Sequence, residues 1–490
     1  MLKAYPSAVL YLLLCAVLTI PGCATNPVTG KRQLMFTSEE KEIEMGKSYD
    51  PQVVAEMGLY ENPEMQRFLN EKGQLMASIS ERPQLPWTFR LVDSEVVNAF
   101  AVPGGFIYFT RGIMAHFNNE AQFAGVLGHE IGHVTARHTV AQQAKQTIGQ
   151  LGLIGGMIAV PGLAQQGQSL MQGMQLLFLK FGRDAESQSD QLGVAYSTRI
   201  GYDSKEMAGF FRTLDRLSGG AENRAPTFTS THPDPANREQ NVLALTEEYQ
   251  NAFPAADGEY AVNRESYLRL IDGMIYGTDP KNGYVENSAF YHPDLRFKFS
   301  IARNWRLLNA PTQVQVVAPD QNSVLQMTLA QGTDTRGTAQ QFVNQTKIQV
   351  RNSSDAPING LPATTLIGEV TQQTQQGQAQ ALGVIASFIA WGGNTYVFTG
   401  LAQARQFNRY QRDLESMIAS FSELRDQSKI NRQAERLRIF TNPRQQSLQE
   451  ALLGAGVPQD RLQEFSVLNG YQLTTTVPAG YLLKSFSGGK

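Results

Sequence analysis

The sequence predicts an α+β fold in three unequal parts: a mainly helical domain with a small sheet, an α+β accessory domain, and a short strand–helix–helix–strand unit. Three observations carry this expectation. At 490 residues the chain is too long for one hydrophobic core of ordinary size. From Ser38 to about Asn251, helical periodicity dominates and five of the six histidines gather. From Glu259 to Gln427, short alternating stretches recur instead. With 42% apolar and 18% charged residues the composition is that of a folded chain. The 42 basic and 44 acidic residues nearly cancel, which gives no electrostatic footprint for nucleic acid or another polyanion.

Taken in order, residues 1–22 read as an export signal. Lys3 precedes an apolar run from Ala8 to Ile20 that is short of the roughly 20 residues a spanning helix needs. Its end, Ile20-Pro21-Gly22-Cys23, resembles a bacterial lipobox, so Cys23 is the expected lipidation site and residues 23–37 a tether. Ala24, rather than Asp, after that cysteine implies outer-membrane sorting in a bacterial periplasm. Loss of the leader also removes Cys15 and leaves no pair of thiols for a disulfide.

In the first domain, 38–252, Trp87 to Val92 and Phe106 to Thr110 read as strands, with a turn at Val102-Pro-Gly-Gly105. Glu120 to about Gly149 reads as one helix that buries Phe123, Val126, Leu127 and Ile131. Leu151 to Val160 is apolar but holds three glycines; a buried helical hairpin or a flexible cover near a cleft is expected, a membrane-touching segment being the alternative. In the accessory domain, 253–430, strands are expected at Phe297–Ser300, Val314–Val317 and Val324–Leu329, and a loop or polar helix entry at 371–380. Phe407, Tyr410, Leu414, Met417, Ile418, Phe421 and Leu424 mark a helix face that covers the sheet. In the last part, 431–490, the order Arg436–Phe440, Leu448–Leu453, Arg461–Leu468, Tyr481–Phe486 resembles a LysM-like domain, which implies peptidoglycan contact. The usual early Gly-Asp element is absent at Asn442-Pro-Arg444, and plain packing is the competing reading.

The chemistry sits in the 120–149 helix. His129-Glu130-Ile-Gly-His133 sets two imidazoles four residues apart, hence on one helical face, where both can reach one Zn²⁺ with Glu130 beside its water. A third ligand that leaves one position open is needed for hydrolysis. Arg183-Asp-Ala-Glu186-Ser-Gln-Ser-Asp190 offers Glu186 as that ligand, and Asp190 to accept from the outer nitrogen of a ligand histidine. A solvated acidic helix face is the competing reading of this stretch. His138 lies five residues past His133, roughly 140° away on a regular helix, and is expected to bond or cap rather than ligate. His116 is assigned to a turn and His292 to a structural role.

Four segments occur in a specific order: NPVTGKRQL at 26–34, NAFAVPGGFIYFTRG at 98–112, HEIGHVTARH at 129–138 and GRDAESQSDQLG at 182–193. With them the chain resembles the zinc endopeptidase family that contains the HtpX-like membrane proteases and the CAAX prenyl endopeptidase, especially its exported BepA-like lipoproteins. The resemblance implies a zincin-type domain with one catalytic Zn²⁺ held by His129, His133 and Glu186, with Glu130 as catalytic glutamate and Asp190 as supporting acid. It also implies that substrate lies along Asn98, Ala99, Phe100 and Ala101 by strand addition, an ordinary buried strand being the alternative. His232, in Thr231-His-Pro-Asp-Pro235, is placed beside the active site as oxyanion donor or as a fourth ligand in a self-restrained state. Arg238 stays between holding that loop, holding a substrate carboxylate and being a surface charge. The implied function is zinc-dependent hydrolysis of periplasmic or membrane-associated proteins in envelope quality control. Its partners are protein or peptide substrates, the membrane through Cys23 and outer-membrane assembly machinery. Two other classes stay open: a zinc-regulated chaperone or assembly factor with little proteolysis, and a cell-wall-binding protein.

Overall fold

The computed structural model describes residues 23–35, 37–143, 180–219, 228, 231–232, 238–256, 258–373 and 379–489. The expected leader and the 151–160 hairpin lie outside them. Among the described residues no helix is long and apolar enough to cross a membrane.

The segment expected as a tether folds as a hairpin, β1 (Cys23–Thr25) against β2 (Arg32–Leu34). Two helices follow, α1 (Glu39–Met57) capped by Ser38 and α2 (Pro63–Ser78) capped by Asn62 with Pro63 at its first position. A three-stranded sheet comes next, in the order β3 (Thr88–Val92), β5 (Phe106–Thr110), β4 (Ala99–Val102), which leaves β4 at an edge. The expected turn between β4 and β5 is present. It runs through Gly104 and Gly105 at φ +86° and +98°, and a Cβ on Gly104 would lie 2.6 Å from the Glu42 carbonyl of α1.

After α3 (Arg111–His116) the chain enters α4 (Glu120–Thr135), whose residues are all buried. Asn119 caps it by accepting from the Gln122 amide. Its neighbour α5 (Arg183–Arg199) approaches closely because three glycines face one another: a Cβ on Gly193 would meet the Gly125 carbonyl at 2.8 Å, and one on Gly128 the Gly193 Cα at 3.0 Å. That approach brings the His129 and Glu186 side chains within reach. The helix expected to continue to about Gly149 instead breaks after Thr135. Ala136 ends it and Arg137 turns the chain at φ +61°, with its guanidinium bound to Glu42 and to the Thr37 carbonyl. Helices α6 (Glu206–Ser218), α7 (Arg238–Ala252) and α8 (Arg264–Ile271) close the unit around Phe117, Phe123, Phe210 and Tyr267.

The second core is antiparallel. A four-stranded sheet includes β6 (Tyr284–Glu286), β7 (Ala289–His292) and β8 (Phe297–Ser300). A seven-stranded sheet is built from β9 (Arg306–Ala310), β10 (Gln313–Val317), β11 (Ser323–Gln331), β12 (Gln349–Ser354), β13 (Ala363–Gln373), β14 (Ala379–Trp391) and β15 (Asn394–Gln403). The three strands expected from alternation are all present. The glutamine-rich stretch is not a helix entry: residues 371–373 pair with 379–381 across a β13–β14 hairpin. Helix α9 (Thr335–Thr346) packs Ala339 and Phe342 on this sheet, and α10 (Phe407–Ala419) buries Phe407, Tyr410, Leu414, Met417 and Ile418, the expected covering face.

The final elements follow the expected order: β16 (Arg436–Thr441), α11 (Leu448–Gly454), α12 (Leu462–Leu468) and β17 (Leu482–Ser487), with β16 antiparallel to β17. Their packing gives no evidence for a distinct LysM-like domain. Leu437, Leu452, Phe465 and Leu483 belong to the same apolar cluster as Phe123 and Phe210. Leu437 exchanges backbone hydrogen bonds with Gly273 and Met274, and the buried Lys484 ammonium donates to the carbonyls of Ala115, Phe117 and Leu468 at 2.8, 2.6 and 3.1 Å. With its apolar face spent on this core, the unit lends no support to peptidoglycan contact.

Candidate metal centre

Helix α4 presents His129 and His133 one turn apart, and α5 presents Glu186 opposite them. His232 arrives from a short segment anchored by Phe228, whose amide donates to the Val97 carbonyl at 3.2 Å. The four side chains are fully buried, and one ligand atom from each lies within 4.8 Å of all the others. His133 Nε2 is 3.0 Å from His129 Nε2, His129 Nε2 is 3.2 Å from His232 Nδ1, and His232 Nδ1 is 3.1 Å from Glu186 Oε1. Phe181 lies against the His133 ring at 4.1 Å and Phe228 stacks on His232 at 4.4 Å, so the cluster is walled by apolar faces.

The donor set fits a divalent cation such as Zn²⁺. Asp190 Oδ1 accepts from His129 Nδ1 at 2.8 Å, which puts the ring proton there and leaves Nε2 as a lone pair directed at the other nitrogens. Ring lone pairs gathered at about 3 Å around a carboxylate repel one another unless a cation joins them. Glu186 Oε2 and Glu130 Oε1 are buried without a hydrogen-bond partner among the described residues, as oxygens facing a metal and its water would be. Three imidazoles and one carboxylate are also the ligand types zinc prefers.

The surrounding charges settle the second layer. Arg238 grips Asp190 with both arms, Nε to Oδ2 and Nη2 to Oδ1 at 2.7 Å each, and lies 4.1 Å over the Phe211 ring. Burial works against the Asp190 anion, but Arg238 and the His129 bond hold its carboxyl below the usual range. Glu186 is likewise held low, burial being outweighed by His232, His129 and Arg238 together. Burial pushes the Glu130 carboxyl up, with His232 and His129 only partly countering it. Burial and the neighbouring histidines keep His133 well below its ordinary value, and Glu186 with Glu130 raise His232 against its burial.

A family model, Peptidase family M48, matches residues 63–246, the stretch that holds α2, the small sheet and all four cluster residues. This segment, 63–246, is thus similar to M48 peptidases. Its cluster is that of a zinc metalloprotease in composition. The chain is 29% identical over 279 residues to the beta-barrel assembly-enhancing protease of Yersinia pestis, covering 53% of this chain and 57% of that one. It is 28% identical over 224 residues to the protease of the same name in Escherichia coli, covering 44% and 45%. It is 27% identical over 220 residues to the mitochondrial metalloendopeptidase OMA1 of Arabidopsis thaliana, covering 44% and 42%. The chain thus spans about half the length of the curated relatives it matches. These matches lend no support to a CAAX-type domain.

Within the matched segment, the structure brings together His129, Glu130, His133, Glu186, Asp190, His232 and Arg238, and assigns Arg238 to Asp190. His138 does not point away, because the break at Arg137 folds it back until its Nδ1 is 3.0 Å from His133 Nδ1. Asn98, Ala99, Phe100 and Ala101 are buried on or beside edge strand β4, which packs against α4; the Asn98 carbonyl is used inside the sheet by Thr110. His116 bonds the Gly112 carbonyl within α3, and His292 accepts the Leu295 amide at a turn, both away from the cluster. The sequence reading missed the aromatic walls, Phe181 and Phe228; only their nearness to GRDAE and to His232 hinted at them.

Proposed function

We propose that the chain is a zinc-dependent endopeptidase, and the observation that carries this reading is the buried four-residue cluster with Glu130 beside it. His129, His133 and Glu186 would hold the ion, which when bound would supply Lewis acidity toward a peptide carbonyl and toward water. Glu130, raised by burial, is suited to take a proton from the attacking water and return it to the departing amine. Asp190 and Arg238 keep the His129 ring in its ligating tautomer. An extended substrate lies along Asn98 to Ala101 at the edge of the small sheet.

Of the two roles open to His232, the geometry favours restraint. Its Nδ1 stands 3.1 Å from Glu186 Oε1, inside the ligand set, and its Nε2 is 3.7 Å from Glu130 Oε1. Activity then requires this ring to swing out, which is also what a chaperone-like alternative would suppress. The relatives' name supports substrates among envelope proteins undergoing assembly, and Cys23, lipidated after removal of residues 1–22, would hold the domain at the outer membrane. The cell-wall reading keeps only the order of the terminal elements in its favour.

Purified full chain should bind zinc and cleave unfolded envelope protein. Glu130→Gln should lower turnover by about 10²–10⁴-fold with zinc retained. His232→Ala should raise turnover if the ring restrains the site. Zinc-loaded wild type that cleaves none of a broad client set moves the assignment to the chaperone class.

A further inference from the structure

The hairpin behind Cys23 reaches the metal centre from the back. We propose that β1–β2 fixes the tautomer of His133 through a hydrogen-bond relay from Asn26 to Gln188 to His138, which makes these three positioning residues of the centre. The proposal rests on the zinc reading above.

The relay can be assigned atom by atom. Asn26 is fully buried, and its Oδ1 accepts from the Val28 and Thr29 amides at 2.9 and 3.1 Å. The other end of the amide is therefore NH₂, which faces the Ala136 carbonyl at 3.3 Å and Gln188 Oε1 at 3.4 Å. A backbone carbonyl only accepts, so Ala136 confirms the orientation. The atom of Gln188 facing an NH₂ must be its oxygen. The same oxygen lies 2.9 Å from His138 Nε2, which must then carry a proton. In the neutral ring that leaves Nδ1 of His138 as acceptor, 3.0 Å from His133 Nδ1 and 3.2 Å from Ser189 Oγ. Two lone pairs cannot face each other at that distance, so His133 carries its proton on Nδ1 and presents a bare Nε2 to the cluster. These proton positions follow from the order of donors and acceptors.

The backbone supports the same end. Asn26 bonds the carbonyl of Ala136, the residue that ends α4, and Arg137 then turns at φ +61° to bring His138 under His133. The two helix ligands are thus oriented differently: His129 by the Asp190–Arg238 charge pair, His133 by a neutral chain that ends in the NPVTG segment.

The test measures zinc dissociation constants of the full chain by competition with a chromogenic chelator, with the melting temperature of the metal-free chain as the control for folding. Asn26→Asp keeps the turn acceptor and deletes the donor. Gln188→Leu deletes the oxygen, and Gln188→Glu keeps one; Gln188 is only half-buried, so both should fold even where Asn26→Asp does not. Asn26→Asp and Gln188→Leu should weaken zinc by about 10–100-fold, while Gln188→Glu stays within about threefold of wild type. Wild-type affinity in Gln188→Leu, or an equal loss in Gln188→Leu and Gln188→Glu, overturns the relay while leaving the zinc centre standing. Wild type that takes up no zinc defeats the centre and the relay together.

Discussion

The two cores of this molecule bury polar groups by different rules. The first core, which holds the metal cluster, encloses charged groups, among them Arg82, Glu130, Glu186, Asp190, Arg238 and Lys484. In the core formed between residues 284 and 430, every described buried polar side chain is a serine or threonine. Desolvating a charge costs several kcal/mol, on the order of what a whole domain has to spare, unless pairing offsets it. Four of these charges have such an offset within the protein: Asp190 and Arg238 in each other, Glu39 and Glu42 for Arg82, and three carbonyls for Lys484, whereas Glu130 and Glu186 each keep one oxygen without a hydrogen-bond partner among the described residues. The second core needs none, so its stability follows from packing while that of the first depends on pairs remaining whole.

The sharpest way to break this contrast is to remove one partner. Asp190→Ala strips the buried Arg238 of its bidentate partner and frees the His129 ring. Unfolding of the metal-free chain in denaturant should show a loss of about 3–5 kcal/mol, and zinc affinity should fall by about 10–100-fold. No single serine or threonine in the second core should approach either figure. If Asp190→Ala costs no more than such a change, the charge-pair account of the first core is wrong.

Acid probes both cores at once, because each holds one histidine that burial presses down to about 4, His116 in the first and His292 in the second. The unfolded chain, with histidines near 6.5, binds more protons than the folded one below that value. Stability from these groups is therefore complete above about pH 6.5 and is lost as pH falls toward 4. For the fully buried His116 the loss amounts to about 3 kcal/mol, and His292, whose ring keeps some solvent, should contribute less. Denaturant midpoints between pH 7 and 4 should flatten in His116→Gln, and more weakly in His292→Gln.

Lys484 tests how far the first core extends. Lys484→Met keeps the length of the side chain but strips three buried carbonyls of their donor, for a loss of about 1–3 kcal/mol. It also removes the ammonium that adds to burial in holding His116 down, so the acid transition of that histidine should move upward. A variant as stable as wild type would show the terminal unit to be an appendage after all.

What could be read in the sequence follows the same division. Strands in the second core and the face of α10 were legible because alternation and 3.6-residue spacing are local. The ligand set was legible because HExxH and Glu186 with Asp190 each encode one helix face. The break after Thr135 was not, because it is fixed by Glu42 and Thr37, 95 and 100 residues away. Lys484 looks like any strand-end lysine until Ala115 and Phe117 are placed beside it. Arg238 could not be assigned without knowing that Asp190, 48 residues earlier, lies within its reach.

The smallest expected effect is the most selective check on the contrast. Ser387 on β14 is fully buried, and its hydroxyl shares a 2.8 Å bond with Thr365, its direct partner on β13. Thr365 is only half-buried, so in Ser387→Ala its hydroxyl can turn to solvent and the loss should stay near 1 kcal/mol. Zinc affinity and turnover should not change, since no charge pair of the first core is touched. A shift in zinc affinity from this substitution would mean that packing in the second core reaches His129 or Glu186, and the two cores would have to be treated as one cooperative unit.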